Sequence, residues 1–188
     1  MRIAISGTHC VGKSTLIDAF LVAHPEFAHE PEPYEVLVED YGEDFAAIPS
    51  AADFQRQLEY NIQSISRYRP DELVIFERCP VDFLAYLFAL ADLGRDRDAV
   101  KILEGALSNA REALAQLDLI VFLPSKDLPI ELSEEEDLEL RSAVDERLES
   151  IFLANDLDLF SSGHPAILKL SGTTTHRPQK LTKWLAVK

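Results

Sequence analysis

The chain has few cysteines and no long apolar run, and these two absences exclude several classes of protein. Its 188 residues include only two cysteines, Cys10 and Cys79, too few for the disulfide framework of a small secreted domain. No stretch approaches the roughly 20 apolar residues that a membrane-spanning helix requires. The chain begins Met1-Arg2-Ile3-Ala4 and leads directly into an apolar run, so we expect no cleavable signal sequence and a cytoplasmic location.

Positive charge is also scarce. The chain has 18 Lys and Arg residues against 33 Asp and Glu residues, which gives a formal net charge of −15. Binding along a nucleic acid polymer requires clustered basic side chains that neutralise phosphates, so this composition argues against such a partner. A bound nucleotide would need its cationic partners concentrated in one place.

One short segment fits a pattern with a defined chemistry. Residues 7–14 read Gly-Thr-His-Cys-Val-Gly-Lys-Ser and match the phosphate-loop pattern G-x-x-x-x-G-K-[ST]. The apolar run Ile3–Ile5 precedes this phosphate loop, and Leu16, Ile17 and Phe20 follow it at helical spacing. In such a strand–loop–helix unit, backbone N–H groups and the positive end of the helix hold phosphates. The sequence therefore predicts a nucleoside triphosphate site, and the loop leaves the preference between ATP and GTP open.

Each position of the phosphate loop has an expected role. Gly7 and Gly12 permit backbone angles and a close approach that a side chain would block. Lys13 is expected to reach the β- and γ-phosphates, Ser14 to ligate Mg²⁺, and Thr15 to bond the α-phosphate. The residues expected to surround the phosphates mainly through their backbone are Thr8, His9, Cys10 and Val11.

Along the whole chain, apolar strands alternate with helices. Helical patterns cover about 52–67 and 81–93, and the second of these is apolar nearly all round. Alternation of this kind predicts βαβ units, so we expect one α/β domain over residues 1–188, with a five-stranded parallel sheet and helices on both faces. The runs that read as strands are Ile3–Ile5, Phe27–His29, Leu73–Phe76, Leu119–Leu123 and Ala166–Leu170.

The third of these strands ends in a charged pair. Glu77 and Arg78 follow the run Leu73–Phe76 directly. Ligands of open α/β sheets bind at the carboxyl ends of strands, so both residues are expected at the site if this strand lies beside the first. Glu77 would then hold Mg²⁺, directly or through water, and Arg78 would contact phosphate or orient a carboxylate. The alternative is a surface ion pair at a strand end.

A second acidic group follows the second expected strand, in the segment His29-Glu30-Pro31-Glu32-Pro33-Tyr34. In an extended run Glu30 and Glu32 point to the same side, and either could act as general base for an acceptor hydroxyl. The alternative is an acidic, proline-rich surface turn. The sequence does not choose between the two glutamates.

Two later segments are candidates for covering and lining the site. Residues 130–151 hold nine carboxylates and two basic residues, Arg141 and Arg147, which flank an apolar helical stripe. This pattern predicts either a helical lid over the phosphates, within 125–155, or a solvated acidic helix. After the fifth strand, a glycine turn could place Gly172, Thr173 and Arg177 near the adenine, and a plain capped turn is the alternative.

Together these motifs resemble the P-loop nucleoside and nucleotide kinases. Residues 74–86 are similar to the Glu/Asp-Arg-Ser segment of deoxynucleoside and thymidylate kinases, with Cys79 in place of the serine. Residues 140–145 and 172–177 are similar to small bacterial P-loop proteins related to the nicotinamide riboside kinase domain. The resemblance implies the P-loop NTPase fold, in which Glu77 would serve Mg²⁺ and Arg78 the phosphates.

We therefore expect an ATP- and Mg²⁺-dependent kinase that transfers the γ-phosphoryl group to a small molecule, with a nucleoside or nucleotide as the leading acceptor. Two alternatives stay open: a regulatory P-loop ATPase without an acceptor, and an acid or sugar kinase on the same scaffold. A GTPase is not expected, because no Asp stands three residues before any glycine, as the D-x-x-G signature requires. The oligomeric state is open, with a homodimer among the options. The expected catalytic residues are Lys13, Glu77, Arg78, Glu30 or Glu32, Arg141 and Arg147.

Overall fold

The fold is built on a five-stranded sheet in which all neighbouring strands run parallel, in the order 2-3-1-4-5. The computed structural model describes residues 1–46, 48–125, 137–161 and 163–186. The expected five-stranded parallel sheet is confirmed. Its strands are β1 (Arg2–Ser6), β2 (Ala28–Glu30), β3 (Val74–Glu77), β4 (Leu119–Phe122) and β5 (Ala166–Lys169).

Within these described ranges, seven helices accompany the strands. The predicted helices are present with small shifts of their ends. The periodicity of the sequence does not predict α2, which is short and begins at a proline in the segment expected to be extended. The helices are α1 (Lys13–Ala23), α2 (Pro33–Glu39), α3 (Ala51–Arg67), α4 (Pro80–Asp92), α5 (Asp98–Leu114), α6 (Leu138–Ala154) and α7 (Arg177–Leu185).

Alternate side chains of the strands enter two separate hydrophobic cores. Ile3 and Ile5 of β1 pack with α1 and α7 on one face of the sheet. Ala4 packs with Phe76 and Phe122 on the other face, which α3, α4, α5 and α6 cover. Because both faces of the parallel sheet are covered, the central strands carry continuous apolar runs instead of alternating ones: Ile3–Ile5 in β1, Val74–Phe76 in β3 and Leu119–Phe122 in β4.

The apolar helix α4 lies at the centre of the second layer. It contacts α3, α5 and α6, so little of its circumference faces water. Its apolar character therefore reflects burial within the protein. None of the helices among the described residues combines the length and hydropathy needed to cross a bilayer.

The sheet order brings three strand ends to one place. β1 lies between β3 and β4, and Ile5 is level with both Glu77 and Val121. The phosphate loop after β1 and the charged pair at the end of β3 are therefore neighbours, as expected for ligand sites in open α/β sheets.

Candidate active site

The phosphate loop has the geometry of an anion site. Gly7 (φ 151°) and Gly12 (φ 85°) have positive φ, and a Cβ on Gly7 would stand 2.6 Å from the carbonyl oxygen of Leu123. Gly12 is the N-cap of α1, and no side chain of the described residues caps this helix, so its first N–H groups remain for an anion. In the loop and the first turn of α1, Thr8 and Val11 are buried, and His9, Cys10, Ser14 and Thr15 are exposed.

Lys13 lies against the loop with its side chain buried. Its Nζ donates to the carbonyl oxygen of Thr8 at 3.2 Å, the one acceptor it has within the described part of the chain. An ammonium group has three N–H donors. Burial lowers the pKa of Lys13 and Arg78 lowers it further, while Glu32 and Glu77 act in the opposite direction. A polyphosphate in the loop would supply both the missing acceptors and additional negative charge.

Ser14 and Glu77 bring two oxygen atoms together beside the loop. The Ser14 hydroxyl donates to Glu77 Oε1 at 2.9 Å. Burial raises the pKa of Glu77, and Lys13 counteracts part of this effect. Mg²⁺ prefers oxygen ligands and is usually held by one or two protein oxygens together with substrate phosphates and water. The Ser14 and Glu77 oxygens fit a Mg²⁺ ion of this kind. The described residues contain no group of three or more metal-binding side chains, so phosphates and water would complete the coordination.

Arg78 connects the phosphate loop with a neighbouring cavity. Its Nε donates to Glu32 Oε1 at 2.5 Å, and its Nη1 donates to the carbonyl oxygen of Gly7 at 3.3 Å and to Asp82 Oδ1 at 3.5 Å. The guanidinium also lies over the Tyr86 ring, 5.7 Å from its centroid. The φ of Arg78 is 73°, a left-handed conformation that costs about 1–3 kcal/mol and aims the side chain into the site.

Asp82 is a site residue that the motifs did not identify. It is fully buried, its Oδ1 accepts from the N–H of Gly7 at 3.0 Å, and its Oδ2 accepts from the N–H of Cys79 at 2.9 Å. Cys79 is the N-cap of α4 and Asp82 stands three residues later, which is the position of the acid in a capping box. The three-residue spacing between Cys79 and Asp82 is the sequence signal that could have identified Asp82. Its carboxylate connects the start of the phosphate loop to α4.

A cavity of about 420 Å³ opens beside Arg78. Its walls are largely aromatic: Phe54 stacks on Tyr86 with ring centroids 4.5 Å apart, and Tyr34 lies 5.2 Å from Phe45. Gln57, which is 7% exposed, contributes a side-chain amide. None of these five residues was singled out as a site residue from the sequence. The carboxylates that line the cavity are Glu32, Glu35 and Asp53.

The structure separates the two glutamates that were expected to share one side. Glu32 lines the cavity, whereas Glu30 accepts hydrogen bonds from the hydroxyls of Tyr60 (3.1 Å) and Tyr68 (2.8 Å) and from Arg67 (3.0 Å). The expectation of a shared side is wrong because Glu32 has φ −59° and ψ 131°. These are polyproline II angles, with three residues per turn rather than two. The structure therefore leaves Glu32, not Glu30, as the candidate base.

The charge state of Glu32 follows from its neighbours. Burial by itself would raise the pKa of Glu32, but Arg78 and Lys13 outweigh burial and hold the pKa below its usual value. The carboxylate is therefore ionised at neutral pH and able to accept a proton.

The two arginines of α6 have different surroundings. Arg141 donates from Nη2 to the carbonyl oxygen of His9 at 3.3 Å, so the start of α6 touches the phosphate loop. Arg147 instead binds Asp92 at 2.6 Å and lies over the Phe88 ring, both on α4. The structure does not bring Arg147 to the loop, because six residues of helix separate it from Arg141 by about 9 Å along the axis. The lid stays a prediction, since residues 126–136 of the expected segment lie outside the described residues.

The segment after β5 lies against the phosphate loop. Arg177 is fully buried and donates from Nη1 to the carbonyl oxygen of Val11 at 2.5 Å. A Cβ on Gly12 would lie 3.3 Å from Thr174 Cγ2. The guanidinium thus supports the loop backbone instead of lining an open base site, because burial and the Val11 carbonyl engage it. The adenine contacts of Gly172 and Thr173 stay predictions.

Comparison with known proteins agrees with this geometry. The family model described as "AAA domain" matches residues 2–162. The structure of a deoxyadenosine kinase from M. mycoides, solved with dCMP and a flexible dCDP bound, is similar over the full length of both chains, with a TM-score of 0.69 and 15% identity. NadR in complex with NAD and AMP-PNP is similar over all of this chain and 50% of its own, with a TM-score of 0.63 and 17% identity. No curated protein sequence matches. The chain therefore belongs to the AAA domain family that this model describes, and its fold is that of the P-loop nucleoside kinases.

Proposed function

We propose that the protein is an ATP-dependent phosphotransferase that moves the γ-phosphoryl group to a hydroxyl of a nucleoside. The observation that carries this proposal is the Glu32–Arg78 ion pair, which connects the phosphate loop with the aromatic cavity. Arg78 touches Gly7 of the phosphate loop, and Glu32 lines the aromatic cavity. Transfer from a triphosphate to a hydroxyl needs a phosphate site, a cation and a proton acceptor in contact with one another.

Each group in the site has one task in this reaction. Lys13 and the N–H groups of the phosphate loop hold the β- and γ-phosphates. Ser14 and Glu77 hold Mg²⁺, which supplies neutralisation of the phosphate charge when it is bound. Glu32 accepts the proton of the attacking hydroxyl, and Arg78 stabilises the negative charge on the transferred group.

The charge of the cavity favours an acceptor without a phosphate group. Glu32, Glu35 and Asp53 line it, and Arg78 is the only permanent cation among its described lining residues. Arg78 is already paired with Glu32 and lies close to Asp82, so a monophosphate would enter a cavity whose lining carries net negative charge. Aromatic walls suit a neutral planar base, and the Gln57 amide can hydrogen-bond to the edge of such a base.

Phosphoryl transfer to a panel of acceptors tests the proposal. The purified protein is incubated with Mg²⁺, ATP labelled at the γ-phosphate, and pairs of nucleosides and their 5′-monophosphates. The panel begins with deoxyadenosine and deoxycytidine, because a deoxyadenosine kinase solved with dCMP shares the fold. We expect label on at least one nucleoside, none on the monophosphates, and no transfer by the Lys13→Ala control.

Two results would contradict this proposal in different ways. Label on monophosphates alone would refute the choice of a nucleoside while leaving a kinase. Steady release of free phosphate, with no labelled acceptor in a panel extended to sugars and small acids, would refute the kinase and favour a regulatory ATPase.

A further inference from the structure

Charge is distributed very unevenly along the chain. Residues 159–188 contain five of the 18 basic residues and none of the 33 acidic residues. All of the carboxylate side chains therefore lie in the first 158 residues. In a protein with a net charge of −15, such segregation concentrates positive potential in one region.

The fold places the later part of this carboxylate-free segment, from Thr174 to Leu181, beside the phosphate loop and α1. Leu181 of α7 shares a core with Leu16 and Ile17 of α1, the helix that begins at the loop. Arg177, at the start of α7, binds the Val11 carbonyl within the loop itself. The helix α1 carries a single acidic residue, Asp18. The positive region therefore borders the site where a triphosphate would bind.

Two lysines supply the exposed charge of this region. Lys180 and Lys183 line an open cavity of about 430 Å³ together with His176. Lys180 Nζ donates to the carbonyl oxygen of Ser171 at 2.7 Å, and neither lysine forms an ion pair with a carboxylate of the described residues. By contrast, Lys169 on β5 pairs with Glu149 at 2.9 Å and contributes less to the field. We call the surface formed by His176, Lys180 and Lys183 the basic face.

We propose that the basic face attracts the anionic nucleoside triphosphate toward the phosphate loop and raises its rate of association. This inference rests on the proposed function, because it assumes that a triphosphate binds in the loop. A protein of this net charge repels an anion at long range, and a local positive surface at the mouth of the site offsets that repulsion. Because its lysines are exposed, the attraction is screened by salt, and it acts on association more than on dissociation.

A charge-matched pair of variants tests the inference. Lys180→Gln with Lys183→Gln removes two positive charges from the basic face. Arg97→Gln with Lys101→Gln removes two exposed positive charges at the start of α5, on the opposite face of the sheet, and gives the same net charge. Binding of a fluorescent ATP analogue with Mg²⁺ is followed by stopped flow from about 20 mM to about 500 mM ionic strength.

The basic-face variant is expected to associate about three- to tenfold more slowly than the unmodified protein at about 20 mM ionic strength, with the difference below about twofold at about 500 mM. Its dissociation rate is expected to stay within about twofold. The control variant is expected to associate within about twofold of the unmodified protein at every ionic strength, because its lost charges lie across the sheet.

Equal association rates for the two variants at low ionic strength would overturn the inference. A slower association that persists at high ionic strength, together with faster dissociation, would also overturn it, because that result indicates direct contact. If the unmodified protein failed to bind the analogue, the proposed function would be at fault instead, so the two failures are distinguishable.

Discussion

Replacing Glu32 with glutamine tests the proposed chemistry directly. The amide keeps the size and shape of the side chain but cannot take the proton of an attacking hydroxyl. General base catalysis contributes about 10²–10⁴ in rate, so kcat is expected to fall by that factor. The loss corresponds to about 3–5 kcal/mol of activation free energy. Because Glu32 lines the cavity and not the phosphate loop, the KM for ATP is expected to change by less than about threefold.

The same substitution should also lower the free energy of unfolding. The side chains of Arg78 and Glu32 are 5% and 17% exposed and meet at 2.5 Å, so a buried charged contact becomes a neutral one. Losing a buried partner entirely costs about 3–5 kcal/mol, but glutamine still accepts a hydrogen bond and Asp82 remains close to Arg78. We therefore expect a loss of about 1–3 kcal/mol.

The pH dependence of this loss follows from the sign of the pKa shift. Folding lowers the pKa of Glu32, so its stabilisation is present above the unfolded pKa and disappears as the pH falls through the folded pKa. The difference in unfolding free energy between the unmodified protein and the Glu32→Gln variant should be largest near neutral pH and should shrink below about pH 4. Denaturant titrations at several pH values measure it.

Glu35→Gln is the matched control, because Glu35 lines the same cavity and is more exposed than Glu32. Its kcat is expected to stay within about threefold of that of the unmodified protein. A Glu32→Gln protein that keeps more than about a tenth of kcat would refute the assignment of Glu32 as the base. An equal loss in Glu35→Gln would refute it as well.

Three other substitutions test the remaining parts of the site. Lys13→Ala should weaken ATP binding by at least about 100-fold in calorimetry, since a buried cation at the loop is lost, and unchanged affinity would contradict its role. Glu77→Gln should raise the Mg²⁺ concentration for half-maximal activity by about 10- to 100-fold, and an unchanged Mg²⁺ dependence would remove Glu77 from the metal site. Gly7→Ala should lower the unfolding free energy by at least about 3 kcal/mol, because its Cβ would stand 2.6 Å from the Leu123 carbonyl oxygen. Gly42→Ala is the control: Gly42 also has positive φ but has open space around it, so this change should cost only about 1 kcal/mol. Equal losses in the two variants would contradict the steric argument.

The phosphate side of the site was largely predictable because its contacts are local. Residues 7–14 carry a consecutive signature, and the apolar run Ile3–Ile5 gives the strand that must precede it. Glu77 was placed correctly beside Ser14, because a strongly apolar strand belongs in mid-sheet and parallel strands end at one edge. The proposed phosphate site therefore follows from residue type and chain order alone.

The expectations that failed depend on directions that hydrophobic periodicity does not specify. Glu30 and Glu32 face different elements because prolines impose a threefold twist on their segment. Arg147 lies on the same helix as Arg141, but its place along the axis puts it beside Asp92. Periodicity identifies which face of a helix is buried, not which neighbour it meets.

The sequence by itself determined the fold class, the phosphate loop and the acidic strand end, because each arises from neighbours in the chain. Only the tertiary structure decided the aromatic cavity that we propose as the acceptor site. Tyr34, Gln57 and Tyr86 come from three different helices, α2, α3 and α4, and meet only after α2 and α4 pack against α3. A surface assembled from distant segments is specified by side-chain packing in three dimensions, which no local pattern of residues records.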